Sequence, residues 1–234
     1  MKTTFLLLMP VFALVSCAPS LPSTGFLGED DKKLTADKSL PFQRSWRKAD
    51  ADLSKYSKIE VVPIRTDKLR SLDNSLNAVN FRNIGDQYSK DVAKLADGTT
   101  EAFRKELDEL PGRSATIVSK PSKSRNTLVL ETNLVEAIPG RPSAKIANLA
   151  VPLVGILSQP SIAIEGRLRD ARSGETLLAF ADNETPEASI IDAQSFTFYG
   201  TLRREAEKWA SQLAEIIEGS TDVKDPFFFR PVDW

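Results

Sequence analysis

Ser45 and Lys48 are the residues of this 234-residue chain whose types and spacing come nearest to a catalytic device. If Ser45-Trp46-Arg47-Lys48 were helical, the lysine amine would stand one turn from the serine hydroxyl, placed to take its proton during attack on an acyl group. The strand-borne partner motifs of such a site, Ser-Asp-Asn and Lys-Thr-Gly, do not follow. Four-residue matches are common by chance, so a hydrolase centred on Ser45 and Lys48 is the least favoured reading. Glu29, Asp30 and Asp31 line up three carboxylates, yet they lack the spaced oxygen ligands and turn glycine of a calcium loop. A solvated acidic patch is expected there, and no metal site. No Gly-rich phosphate loop occurs. The chain has no histidine, which removes Ser-His and Cys-His nucleophiles, imidazole bases and His-ligated zinc or copper. A non-enzymatic protein without a dissociable cofactor is the expectation.

One cysteine remains, Cys17, and it closes an apolar run. Lys2 supplies a positive start, residues 5–15 an apolar stretch, and small residues the boundary: the three parts of a secretory signal. The run is too short to span a membrane, since a hydrocarbon core of about 30 Å needs roughly 20 apolar residues, and Pro10 interrupts it. An ordinary signal peptide is the plainer alternative. The tetrad Leu14-Val15-Ser16-Cys17, however, resembles the lipobox of bacterial lipoproteins. That resemblance implies cleavage after Ser16, a diacylglycerol on the Cys17 thiol and an acyl chain on the new amino terminus. Two chains already anchor a protein stably, so three would hold it at the membrane. Ala18 stands where inner-membrane retention signals carry Asp, which implies the outer membrane and its periplasmic face.

Acylation of Cys17 would leave the mature chain without thiolate ligand or disulfide, so a hydrophobic core must hold it. About 210 mature residues suffice for one such core. The chain has 31 basic and 32 acidic residues, and loss of Lys2 with the signal makes the mature chain slightly more negative. That balance argues against nucleic acid as a partner. The expected organisation is a signal peptide over 1–16, a lipidated start and Pro/Ser tether over 17–24, a single α+β domain over 25–219, and an aromatic tail over 220–234.

Residues 59–64 read as a strand in which Pro63 marks an edge position or a strand end. Residues 44–56 read as an irregular stretch with a short helix. Tyr88, Val92, Leu95, Phe103, Leu107 and Leu110 recur at helical spacing up to Pro111-Gly112, with Gly98 a candidate break capped by Thr99 or Thr100. Residues 115–119 read as a short strand. Leu128, Leu130, Thr132 and Leu134 then alternate in a longer one, as do Ile162, Ile164, Gly166 and Leu168. Residues 170–175 supply a turn into a further strand from Thr176. Leu202, Ala206, Trp209, Leu213 and Ile216 form the stripe of a last helix ending at Gly219, with Arg203, Arg204, Glu207, Lys208 and Glu215 directed elsewhere. The order β-α-β-β-β-β-α predicts a mainly antiparallel sheet of about five strands with both helices on one face, a two-layer sandwich.

Phe26-Leu27, the stretch from Trp46 to Tyr56 leading into Ile59-Glu60-Val61-Val62-Pro63, and Leu168-Arg169-Asp170 with Ser173-Gly174-Glu175-Thr176-Leu177-Leu178-Ala179 resemble an uncharacterised lipoprotein family, domain of unknown function 3313. The element order is also similar to periplasmic modules such as the amino-terminal domain of the Tol-Pal propeller protein and lipoprotein activators of penicillin-binding proteins. Those modules bind partners without a catalytic centre. The resemblance therefore implies a non-catalytic binding, assembly or regulatory role in the envelope, with an envelope protein as partner.

Two stretches suit contact with something outside the domain. Residues 144–157 are the most apolar of the mature chain, and Ile146, Leu149, Leu153 and Ile156 fit a short amphipathic helix that packs on the sheet or docks on a partner or bilayer. The tail carries Phe227, Phe228, Phe229 and Trp234 between and after prolines, costly to leave in water, so it folds back or inserts into another protein. Carriage of a lipid or other apolar ligand between sheet and helices is the alternative function.

Overall fold

Large apolar residues at alternate positions of the two longest strands, Leu128, Leu130 and Leu134 and Ile162, Ile164 and Leu168, give the sheet one greasy face for helices of matching stripe to cover. The computed structural model describes residues 23–37, 39–70, 82–116, 124, 126–138, 161–184 and 198–220. A 3-10 helix, Gly28–Lys33, precedes β1 (Arg44–Arg47), β2 (Lys58–Val61), α1 (Arg82–Asp108), β3 (Ser114–Thr116), β4 (Thr127–Ile138), β5 (Ser161–Asp170), β6 (Thr176–Glu184) and α2 (Phe198–Glu218).

The α+β class stands, but the sheet has six strands in the order β1-β6-β5-β4-β2-β3 and is mixed. Strands β1, β6, β5 and β4 pair antiparallel, whereas β2 runs parallel to both β4 and β3. The parallel pair β2/β3 brackets α1, as a parallel connection requires a crossover. The extra strand is β1, inside the stretch read as irregular; it forms an edge against β6, and its outer side is bridged by Thr35. No helix occurs between residues 48 and 57. Pro63 marks a strand end rather than an edge: β2 stops at Val61 and lies between two neighbours.

The helices lie together over one face. Ile59, Val61, Leu128, Leu130, Leu134, Ile162, Ile164, Leu168, Leu178 and Phe180 form a single buried cluster with Val92, Leu95, Phe103 and Leu107 of α1 and Trp209, Leu213 and Ile216 of α2. Each fully buried Leu, Ile or Phe contributes about 1.5–3 kcal/mol. Helix α1 is continuous through Gly98, contrary to the expected break. Thr99 and Thr100 do not cap a second segment; their hydroxyls donate back to the carbonyls of Leu95 and Ala96, both at 2.8 Å. The Thr100 hydroxyl also accepts the backbone N–H of Ile64 at 3.1 Å, tying α1 to the chain leaving β2. Helix α2 ends as its glycine predicts. Gly219 has φ of +105°, and the N–H groups of Ser220 and Gly219 cap the carbonyls of Glu215 and Ile216. Lys208 departs from the solvated face expected for it, being nearly buried and paired with Glu184 of β6 at 2.8 Å.

In mid-sheet, Gly166 of β5 sits opposite Phe180 of β6, whose ring lies over the glycine. Phe42 stacks on Phe180 at 4.3 Å between centroids, so the ring is held from a second side. One irregularity, at Val135, shifts the β4/β5 register, and its carbonyl accepts the N–H of Arg70 at 2.9 Å.

Candidate functional site: the N-terminal segment on the outer face of the sheet

On the face away from the helices, alternation places Glu131 and Asn133 of β4, Glu165, Arg167 and Arg169 of β5, and Ala179 and Ala181 of β6. A half-solvated strand would leave those charges in water. Here the chain just after the expected tether covers them. Phe26, Leu27 and Leu34 bury against Ala179 and Ala181, with Trp46 alongside. Leu27 is only 1% exposed, so this second small core contributes to stability in its own right.

Charge-assisted hydrogen bonds fix the segment in place. The Thr24 backbone N–H and hydroxyl both donate to Glu165, at 3.0 and 2.5 Å, and Glu165 is 3% exposed. The Phe26 ring lies between the guanidinium groups of Arg65 and Arg167, 5.6 and 5.4 Å from its centroid, as cation–π pairing favours. Arg167 and Arg169 share Glu131, at 2.7 and 3.2 Å. Asp30 accepts the Thr176 hydroxyl at 2.7 Å and pairs with Lys33 at 2.8 Å. Burial pushes the Asp30 pKa up, but hydrogen bonds from Lys33 and Thr176 and the charges of Lys33 and Arg167 outweigh it, and the carboxyl lies below its ordinary range. The expected solvated patch at Glu29, Asp30 and Asp31 is therefore corrected. Asp30 is buried in an ion-paired network, while Glu29 stays exposed beside Lys32.

Glu165→Ala would leave both Thr24 donors without their acceptor. The expected cost is about 1–2 kcal/mol, concentrated in faster amide exchange over residues 24–34. Uniform acceleration across the domain would show that the clasp is not local.

Ser45 and Lys48 are not brought together. Both lie in or beside the extended β1, where a three-residue separation spans about 10 Å and turns side chains to opposite faces. Ser45 is completely buried, and Lys48 reaches away to Glu175 at 2.5 Å. A hollow of about 10 Å³ beside Glu165, lined also by Arg44, Ala163 and Asn183, has room for no more than a water molecule. Among the described residues no group of carboxylates could hold a metal ion, and no helix is long and apolar enough to cross a membrane. Ser16, Cys17, Ile146, Leu149, Leu153, Ile156, Phe227, Phe228, Phe229 and Trp234 lie outside the described residues. The Thr24–Glu165 clasp escapes sequence reading; its one signal is the apolar pair Phe26-Leu27 so close behind the tether.

A family model described as protein of unknown function (DUF3313) matches residues 22–213. The chain belongs to the DUF3313 family. The match takes in residues 24–34, so the N-terminal segment is part of the DUF3313 domain. No curated protein matches the chain. Among solved structures, the PelC dodecamer from Paraburkholderia phytofirmans is similar at 12% identity, covering 72% of this chain and 96% of that chain, with a TM-score of 0.42. The hypothetical protein CT253 from Chlamydia trachomatis is similar at 8% identity, over 69% and 98%, with a TM-score of 0.39. Lipoprotein GNA1162 from Neisseria meningitidis is similar at 12% identity, over 58% and 86%, with a TM-score of 0.22.

The geometry also explains the stretch that carried the DUF3313 resemblance. Asp170 closes the β5/β6 turn: its Oδ1 accepts the N–H groups of Arg172 and Ser173 at 2.9 and 2.7 Å, and its Oδ2 accepts the Tyr56 hydroxyl at 2.8 Å. Gly174, with φ of +73°, completes the turn through its N–H to the Asp170 carbonyl. Those motif residues build the fold.

Proposed function

We propose that this DUF3313 protein is a lipid-anchored envelope lipoprotein acting as a non-catalytic binding or assembly module, on the periplasmic face of the outer membrane. The observation that carries this reading is the start of the fold. Thr24 is already clasped to Glu165 seven residues after the cysteine of Leu14-Val15-Ser16-Cys17, so only a short length of sequence separates the lipobox-like tetrad from the domain. The acylated thiol would supply attachment. The separation of Ser45 from Lys48 removes support for a hydrolase. The layer between sheet and helices is filled by Trp209, Phe103, Phe180 and Leu107, which lends no support to carriage of an apolar ligand there. Partner contact falls to residues 144–157 and the aromatic tail. Ile138 and Ser161, the described residues that flank the apolar stretch, are paired in the sheet.

Metabolic labelling with an alkyne fatty acid is expected to mark the wild-type chain and not Cys17→Ser, which should also leave the membrane fraction. Equal labelling of the two would overturn the anchor. Crosslinking in the native envelope is expected to capture a specific protein through residues 144–157 or 225–234, and loss of that product on deleting either stretch would locate the contact.

A further inference from the structure

Resting on the reading of Cys17 as the lipidated residue, the geometry points to a fixed side of the domain that faces the bilayer: we infer that the outer face of the sheet, where the N-terminal segment docks, is the membrane-facing side, and that the helical layer faces away. Six peptide steps separate Cys17 from Ser23, which at full extension span at most about 22 Å. The slack then ends abruptly. Thr24 is clasped to the buried Glu165 in the middle of β5, and from there the chain runs toward the start of β6, where Asp30 meets Thr176. Phe26 held between Arg65 and Arg167, and Leu27 buried on Ala179 and Ala181, keep it from peeling off. The lipid headgroup layer must therefore lie within that short reach of the outer face. The helices stand on the opposite side of the sheet, and a helix with its side chains is about 10–12 Å across. Their outer surfaces are thus on the order of 20 Å further through the body of the domain, and further still around an edge bridged by Thr35. Those outer surfaces are charged and exposed at Asp97, Glu101, Arg203, Glu207 and Glu215, which suits them to water. The surface that this covered face looks onto is the lipid headgroup layer, since a covalent tether of known length dictates its position.

The chain's single cysteine is the acylated one, so reporter thiols can be placed one at a time. Full-length Lys32→Cys reports from the outer-face 3-10 helix, and Ser211→Cys from the exposed side of α2. Each lipidated protein is reconstituted into phosphatidylethanolamine–phosphatidylglycerol vesicles carrying a headgroup acceptor dye and labelled afterwards with an impermeant donor maleimide. The Lys32→Cys donor should lose more fluorescence to the acceptor than the Ser211→Cys donor. Inserting about twelve Gly and Ser residues before Ser23 should reduce both losses and erase the difference. Equal or reversed losses in protein that floats with the vesicles would overturn the orientation alone. Protein that does not float would overturn the lipid anchor, and the orientation with it.

Discussion

Gly166→Ala is expected to lower the stability of the domain by about 2–3 kcal/mol, or roughly 5–10 °C in Tm for a chain of this size. A Cβ at position 166 would stand 2.3 Å from Cζ of the Phe180 ring, closer than real contacts allow. The ring has little freedom to retreat, because Phe42 stacks on it at 4.3 Å and Phe180 is completely buried. A glycine inside a strand ordinarily weakens it; here the cross-strand aromatic fills the vacancy and restores the packing, as in designed sheets. The mechanism predicts coupling. Shrinking the ring with Phe180→Leu should be destabilising by itself yet should recover part of the Gly166→Ala loss when the two are combined. Thermal unfolding of the four proteins would measure it, and strictly additive losses would show that the ring is not the obstacle.

What is legible in the sequence follows the range of the forces involved. The stripe Ala206, Trp209, Leu213, Ile216 is readable because helical periodicity is local, and all four residues are buried. The alternation of β4 and β5 is readable for the same reason. Strand β1 is not: it is only four residues long, its buried inner residue is Ser45, and its aromatic, Trp46, lies on the outer face beside Lys33. That pattern inverts the apolar-in rule. The parallel setting of β2 is hidden because it depends on pairing Ile59 with Leu128 and Val61 with Leu130, some 70 residues away. The outer face misleads for a related reason. Glu131, Arg167 and Arg169 look like the wet side of an amphipathic strand, and only the return of residues 24–34 across the sheet reveals them as an ion-paired layer. As for the candidate site, the resemblance at Cys17 is legible because a lipobox is a contiguous tetrad, whereas the clasp between Thr24 and Glu165 joins residues 141 apart.

The second large effect is expected at Asp170, where Asp170→Ala should cost about 2–3 kcal/mol. Four donors converge on this carboxylate: the backbone N–H groups of Arg172 and Ser173, the Ser173 hydroxyl at 3.0 Å and the Tyr56 hydroxyl. Tyr56 is itself 3% exposed, so removing the acceptor strands its hydroxyl in the core as well as loosening the turn. Burial pushes the Asp170 pKa up, but the N–H of Ser173, the Tyr56 and Ser173 hydroxyls and the N–H of Arg172 together hold it below its ordinary value. Burial first, and then the hydrogen bond to Asp170, raises the pKa of Tyr56, so the tyrosine remains a donor throughout the physiological range. The sign of the pH dependence follows. In the unfolded chain an aspartate titrates near about 3.9; above that pH both states are ionised and the folded state keeps its full advantage. As pH falls through the lower folded value, the folded carboxylate takes up its proton and the advantage is lost. Asp170→Asn removes this titration. The gap in urea midpoint between wild type and Asp170→Asn should therefore be wide at pH 7 and narrow steadily below about pH 4. Asp30, also held low, stays in both proteins and cancels from the comparison. A gap that stays constant between pH 7 and pH 3 would show that Asp170 acts through shape alone, and that its charge contributes nothing to closing the hairpin.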